Sequence, residues 1–367
     1  MKKEKEIGKN QEQEVLDSIN SRKIIIPMLL GIGVLFYLVW SSFDLEEFKR
    51  IPWGGKVIFY TLIAILTYGI RHILLSYRLR ILSNNFFSWS KSIELAFIWE
   101  FASAVSPTSL GGSAVGLFLL AQEKLSTAKT VTLVLYAVVM DSIFFIITIP
   151  LLYFTLGPGG IRPDAFVTSD LGAYWPTIVI VYLFILAYGG IFIAGIFKPV
   201  IIQRLVRFFG RLPIFIKWQE SIYKTADDIV ISSRELRGQP FFWHTKIFVS
   251  TVLIWIIRFL TVNFVILAFT DLSITDWYEQ YLVYSRSEMM HSITQFSPTP
   301  GGSGVIELIF GGFYSDFISK GISSIVAFVW RLITYYPYLI IGLIIVPNWI
   351  RKIWIRRKKA ARKKSRT

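Results

Sequence analysis

Two arginines sit where a charge is expensive. Arg258 falls near the middle of the apolar run Ile247 to Phe269, and Arg331 lies inside the run Ile322 to Val346. A guanidinium at the centre of a membrane span faces the protein interior and comes with a named partner. Its planar fork of donors matches a phosphate or a carboxylate at two points. Two readings follow: the arginines hold a lipid phosphate, or they pair with Glu307, Glu100, Glu288 or Asp141 and lock a helix bundle. His291 lies close to Glu288, and the two are candidates to carry a coupling proton; the alternative is a structural histidine.

The second chemical feature is a pair of breaks. Ser297-Pro298-Thr299-Pro300-Gly301-Gly302-Ser303-Gly304 cannot continue a helix, because proline lacks the backbone donor and glycine is loose. Ser106-Pro107-Thr108-Ser109-Leu110-Gly111-Gly112-Ser113 repeats Ser-Pro-Thr and Gly-Gly-Ser with one residue more between them. Non-helical backbone at membrane depth is tolerated where it is packed in protein or lines a polar cavity. Two matched breaks point to a transport site. A half-helix beginning after Gly112-Ser113 or Gly302-Ser303 would offer unpaired backbone donors to an anion. The hydroxyls of Ser106, Thr108, Ser297, Thr299 and Ser303 add donors, or else cap the broken helices.

The elements that must position these residues are membrane helices. The 367 residues are 54% hydrophobic and 17% charged, below the roughly 25% charged of soluble domains. Spans are predicted at Ile24 to Trp40, Val57 to Leu75, Val131 to Leu156, Pro176 to Phe197, Ile247 to Phe269 and Ile322 to Val346, the last kinked at Pro337. Arg71, His72 and the Tyr77-Arg78-Leu79-Arg80 stretch at the end of the second span suit headgroup level. Ser92 to Val105 and Ala114 to Ala121 are each too short to cross, so they read as a re-entrant hairpin with the first break at its tip. Ser287 to Phe296 and Val305 to Ile318 form the second hairpin, after a short acidic loop at Asp271 to Ser285. The fold expected is therefore an all-α polytopic membrane protein with about six transmembrane helices and two re-entrant helical hairpins. Residues 1–23 read as a polar leader without a cleavable signal, 24–347 as the transmembrane domain and 348–367 as a basic tail. The connection 198–246 is either an amphipathic elbow on the membrane surface or a helical hairpin packed on the bundle.

Lysine and arginine orient the layout. Of 39 such residues, thirty fall in the leader, the Tyr77 to Lys91 and Gln122 to Lys129 turns, the 198–246 connection and the tail, and six fall in opposite connections. The positive-inside bias then places both termini in the cytoplasm of a bacterial-type inner membrane. The first hairpin enters from the inside and the second from the outside, giving an inverted repeat of 57–156 and 247–346. The net charge of +15 fits this bias and attraction to anionic lipid better than nucleic acid. With no cysteine, thiolate metal sites and cysteine nucleophiles are excluded. No metalloprotease, phosphate-loop or serine-hydrolase motif is present, and no cofactor, metal or catalytic role is expected.

Thr299-Pro300-Gly301-Gly302-Ser303-Gly304-Val305-Ile306-Glu307 resembles the Thr-Pro-Gly-Gly-x-Gly-x-x-Glu signature of the lysylphosphatidylglycerol synthase transmembrane-region family. The likeness extends over about Ile24 to Val346, and Gly116 stands in the first copy where Glu307 stands in the second. It implies a flippase-like domain that translocates phospholipid, without the synthase domain that would aminoacylate it. The expected function is translocation of an anionic phospholipid or related phosphate-bearing lipid. The rival is a non-transporting scaffold or accessory subunit for an envelope biosynthetic enzyme, with a small-solute transporter as a third reading.

Overall fold

Long apolar segments with no water to satisfy their backbone fold as helices, which close every hydrogen bond internally. The computed structural model describes residues 45–51, 53–106, 116, 119–123, 125, 127–163, 174–212, 216, 219–295, 297, 299, 301–302 and 304–364, and the regular structure among them is helical. In chain order the helices are α1 (Leu45–Arg50), α2 (Gly55–Leu82), α3 (Trp89–Val105), α4 (Thr127–Ile161), α5 (Tyr174–Phe197), α6 (Pro199–Phe209), α7 (Gln219–Arg237), α8 (Phe241–Phe269), α9 (Trp277–Thr294), α10 (Val305–Phe313), α11 (Lys320–Thr334) and α12 (Tyr336–Lys364). Among the described residues, four stretches are long and apolar enough to cross a membrane: Gly55–Leu82, Lys129–Ile161, Phe241–Phe269 and Lys320–Ile353. A fifth results if Tyr182–Gly195 and Pro199–Phe209, bent by 113°, count as one. The expected span at Ile24 to Trp40, the leader and the tip of the first break lie outside the described residues.

Three boundaries differ from the sequence reading. Helix α2 runs on to Leu82, so Arg71 and His72 are buried in its body instead of reaching headgroup level. Helix α9 begins at Trp277, because Asp276 caps it by accepting from the Glu279 amide at 3.2 Å; most of the presumed acidic loop is helix. The last span breaks at Tyr335 (φ −121°, ψ −57°), not at Pro337, which sits in the first turn of α12, where its missing donor leaves no bond unmade. Helix α12 then continues through the basic end to Lys364.

Helices α2 and α8 form an antiparallel pair fixed by bonds at both ends. Lys56 in the first turn of α2 donates to the Thr270 carbonyl after α8, and Trp243 at the start of α8 donates to the Ile81 carbonyl at the end of α2. Helix α3 packs on α2 and α12, while α9 packs on α8 and α4. One apolar core gathers around Phe144, Ile266, Met289 and Phe310, and a second around Ile98, Leu120, Ile247 and Trp349. The outward side is apolar too. Ile58, Phe59, Leu62, Ile65, Leu66 and Ile73 form an exposed stripe on α2, the surface expected of a helix facing lipid.

The described part of the 198–246 connection is a pair of helices packed on each other and on the bundle. Helix α7 packs on α4 and α5, and Asp227 on it accepts from Gln203 at 2.6 Å and Arg207 at 2.5 Å on α6. With its polar face so occupied, α6 leaves Val200, Ile201, Leu205, Phe208 and Phe209 exposed.

Candidate functional site

Between α2, α3, α4, α8, α9 and α11 lies a cavity of ≈ 350 Å³, with the second break in its wall. Along α2 it is lined by Tyr68, Arg71, Leu75 and Arg78, which recur at helical spacing on the face opposite the lipid-facing stripe. Helix α8 supplies Trp255 and Arg258, α3 supplies Glu100, α4 supplies Asp141, and α9 supplies His291. Ser106 lines it at the end of α3, as do Ser297, Thr299, Gly301 and Gly302 in the second break and Arg331 on α11. Thr108, Gly111, Gly112 and Ser303 lie outside the described residues.

Most of the charge in this cavity is internally compensated. Arg71 meets Glu100 with both guanidinium nitrogens, at 3.0 and 3.3 Å, and also donates to the hydroxyls of Tyr68 and Tyr338 at 3.3 Å each. Arg78 donates to Asp141 at 2.6 Å, and the other donor to that carboxylate is the Trp255 indole at 2.9 Å. Arg331 is 4% exposed and donates to Glu307 at 2.8 Å and to the Gly301 carbonyl at 3.1 and 3.2 Å. For Arg331 the ion-pair reading therefore holds: it staples α11 to the second break, and its guanidinium lies 4.0 Å from the centre of the Tyr335 ring.

Arg258 differs. Among the described residues it has no hydrogen-bond or ion-pair partner, and its contact is the face of the Trp255 ring at 5.5 Å. None of the four carboxylates proposed for it from sequence bonds to it, although Glu100 lies near enough for its charge to act on Arg258. Glu100 and Asp141 are taken by Arg71 and Arg78, which the sequence reading left at headgroup level; their seven-residue spacing on one helix face was the signal available. Glu307 is taken by Arg331, and Glu288 is fully buried against Thr148 on α4, away from the cavity wall. His291 is enclosed by the rings of Phe145, Trp255 and Phe259, with centroids 5.9, 5.0 and 5.8 Å away.

The second break is held by its own residues. Gly301, Gly302 and Gly304 adopt φ of 58°, 68° and 87°, a region that costs other residues strain. Ser297 accepts from the Thr299 amide at 3.3 Å and shares a 2.8 Å hydroxyl contact with Thr299, so these two hydroxyls serve the turn. The start of α10 does not present a free anion site. Glu307 reaches back to accept the Gly304 amide at 2.7 Å, so a carboxylate of the chain already occupies the positive end of the helix. Arg286, just ahead of the predicted second hairpin, is buried on α9 and donates to Asp316 at 2.5 Å.

The second break and Arg331 both fall inside the stretch that a known family matches. The family described as lysylphosphatidylglycerol synthase TM region matches residues 24–342. The chain belongs to that family. It is also similar to a UPF0104 membrane protein of Archaeoglobus fulgidus, 22% identical over 352 residues that cover 88% of this chain and 95% of the relative. A multi-pass helical membrane protein follows from the family and from the apolar helices together.

Proposed function

We infer that the cavity takes the phosphate of an amphipathic lipid and that the protein moves an anionic phospholipid, or a related phosphate-bearing lipid, across the membrane. The observation that carries this reading is Arg258. Arg71, Arg78 and Arg331 are paired with Glu100, Asp141 and Glu307, which leaves Arg258 as the cavity guanidinium with no ion-pair partner of its own among the described residues, sharing only the more distant field of Glu100. An unpaired cation inside a membrane protein is costly, and a phosphodiester carries the single negative charge that offsets it. The apolar part of the wall, including Phe184, Ile185, Leu75 and Leu82, suits acyl chains.

The packing supports an inverted repeat of α2–α3–α4 and α8–α9–α11/α12. In it α2 pairs with α8, while α3 packs on α12 and α9 packs on α4 in exchange. Arg71 and Arg258 both lie about five turns into their helices. Counting back six residues from Ser106 and Ser297 gives Glu100 and His291, so the second copy holds a histidine where the first holds the carboxylate that neutralises Arg71. That exchange is the physical reason Arg258 is left free. Two hairpins entering from opposite sides, six spans in all and both termini inside complete the proposed topology. Helix α6, with its exposed apolar face beside Arg204 and Arg211, would lie along the inner surface.

Purification in native-lipid nanodiscs tests the site. A phosphate-bearing lipid identified by mass spectrometry, with density against Arg258, is the expected result. An empty, occluded centre with a stoichiometric protein partner would instead favour the scaffold or accessory-subunit reading.

A further inference from the structure

Glu288 is a buried acid that lipid binding does not use. It is 0% exposed on α9, and among the described residues no lysine or arginine pairs with it. Its Oε1 stands 2.5 Å from Thr148 Oγ1, and its Oε2 has no hydrogen-bond partner among the described residues. Thr148 has one hydroxyl hydrogen, and the Phe144 carbonyl, which can only accept, stands 2.8 Å from the same oxygen. If that hydrogen goes to Phe144, the contact with Glu288 needs a hydrogen from the acid. If it goes to Glu288 instead, an ionised carboxylate would sit in a membrane core with only the Thr148 and Tyr284 hydroxyls beside it and no cation among the described residues. The neutral acid, with Oε1–H donating to Thr148, is the form that fits this arrangement.

Among the described residues the surroundings offer no compensating charge. On its own helix Glu288 is flanked by Tyr284 and Tyr281 a turn and two turns back and by His291 ahead, while Arg286 is committed to Asp316. Helix α4 faces it with Thr148 and Phe145, and α8 faces this stretch of α9 with Trp255, Phe259 and the half-buried Arg258 next to His291. Just after α10, Tyr314 bonds to Ser287 at 2.8 Å, and α5 contributes no charged residue. Arg258 stands beside His291 at the cavity, with no bond to Glu288.

We propose that Glu288 is the proton-carrying site of this protein, and that binding and release of one proton there drives α9 and the second break between two arrangements. This rests on the lipid-translocation reading for what the motion moves. The step is a simple dissociation: the Oε1–H bond breaks, the electron pair stays on the carboxylate, and the proton passes to water reaching the site. Because the carboxylate has no cationic partner among the described residues where it now stands, ionisation requires α9 to shift until water or a cation meets it. Proton release and helix movement are thereby linked. Ser287, Met290 and His291 of the same helix turn line the cavity, so the shift alters the lipid site directly.

The chain contains no cysteine, so a single reporter can be placed in the cavity wall at Ser103→Cys. In liposomes, its labelling rate by a water-soluble maleimide is followed from acid to alkaline pH, with Glu288 intact and with Glu288→Gln. The ratio of the two rates cancels the thiol's own ionisation. With Glu288 intact, accessibility should change roughly tenfold across the titration, while Glu288→Gln stays at its acid-side value. Glu288→Met, which has no dissociable proton either, should give the same flat profile. The same pH profile in all three, or no pH dependence with Glu288 present, overturns the proposal. A parallel measurement of labelled phosphatidylglycerol redistribution under a proton gradient separates the two ideas. A gradient that speeds redistribution by the wild type but not by Glu288→Gln supports both, while pH-dependent labelling with no lipid movement sinks the lipid reading alone.

Discussion

Replacing Arg258 with alanine removes the one cavity guanidinium that has no carboxylate or carbonyl partner among the described residues, and its consequences separate a binding role from a structural one. A charge-assisted hydrogen bond from a guanidinium to an anion contributes roughly 1.5–3 kcal/mol, so affinity for phosphatidylglycerol should fall about 10- to 150-fold. A bare pair at about 4 Å in a medium of effective dielectric near 20 would give about 4 kcal/mol, and the half-buried setting of Arg258 pulls the value below that. Stability should be unchanged or higher, because no ion pair is broken and a like charge facing Arg71 is removed. Arg258→Lys, which keeps the charge but loses the two-point fork, should fall between. The assay is displacement of a fluorescent phosphatidylglycerol from purified protein in micelles at two ionic strengths, with thermal unfolding measured on the same samples. Unchanged affinity together with a stability loss as large as that of Arg331→Ala would refute the reasoning, because it would make Arg258 a structural cation.

Arg331→Ala breaks the buried bond to Glu307 and strips the Gly301 carbonyl, so it should cost about 3–5 kcal/mol, seen as a lowered unfolding midpoint in detergent; Arg331→Met with Glu307→Met should recover part of that loss. Gly301→Ala should cost about 1–2 kcal/mol from its left-handed backbone, and more because the added methyl meets the Tyr335 ring; the same unfolding measurement reads it. Asp141→Asn frees Arg78 and gives the cavity a second uncompensated cation, so phosphatidylglycerol affinity should rise several-fold while stability falls. Trp349→Phe removes the 2.5 Å bond from its indole to buried Glu123 and should lower stability by about 1–3 kcal/mol without changing lipid affinity.

Much of the architecture was legible from sequence because lipid imposes simple rules: long apolar runs become helices, and Pro-Gly breaks within them mark irregular backbone. Arg258 and Arg331 were legible because they interrupt otherwise apolar runs. Their fates were not, since pairing depends on which carboxylate each helix brings round. Arg331 found Glu307, one of its four candidates, while Arg71 and Arg78 claimed Glu100 and Asp141. Those two arginines were misplaced because a basic residue near the end of an apolar stretch looks like a headgroup anchor until the helix is known to continue to Leu82. The start of α9 was hidden for a related reason: Asp276 and Glu279 read as loop charge, whereas one caps a helix and the other sits in its first turn. The break offered a further lesson. Its glycines announced a helix start and hence an anion site, but Glu307, inside the same motif, had already filled it.

The most direct test of the central claim is redistribution of headgroup-labelled lipids in liposomes carrying the purified protein. Wild-type protein should move phosphate-bearing lipids in preference to an uncharged lipid of matched chains, and Arg258→Ala should lose most of that rate while remaining folded. Equal rates for the two proteins, or no headgroup-dependent movement by the wild type, would contradict the account.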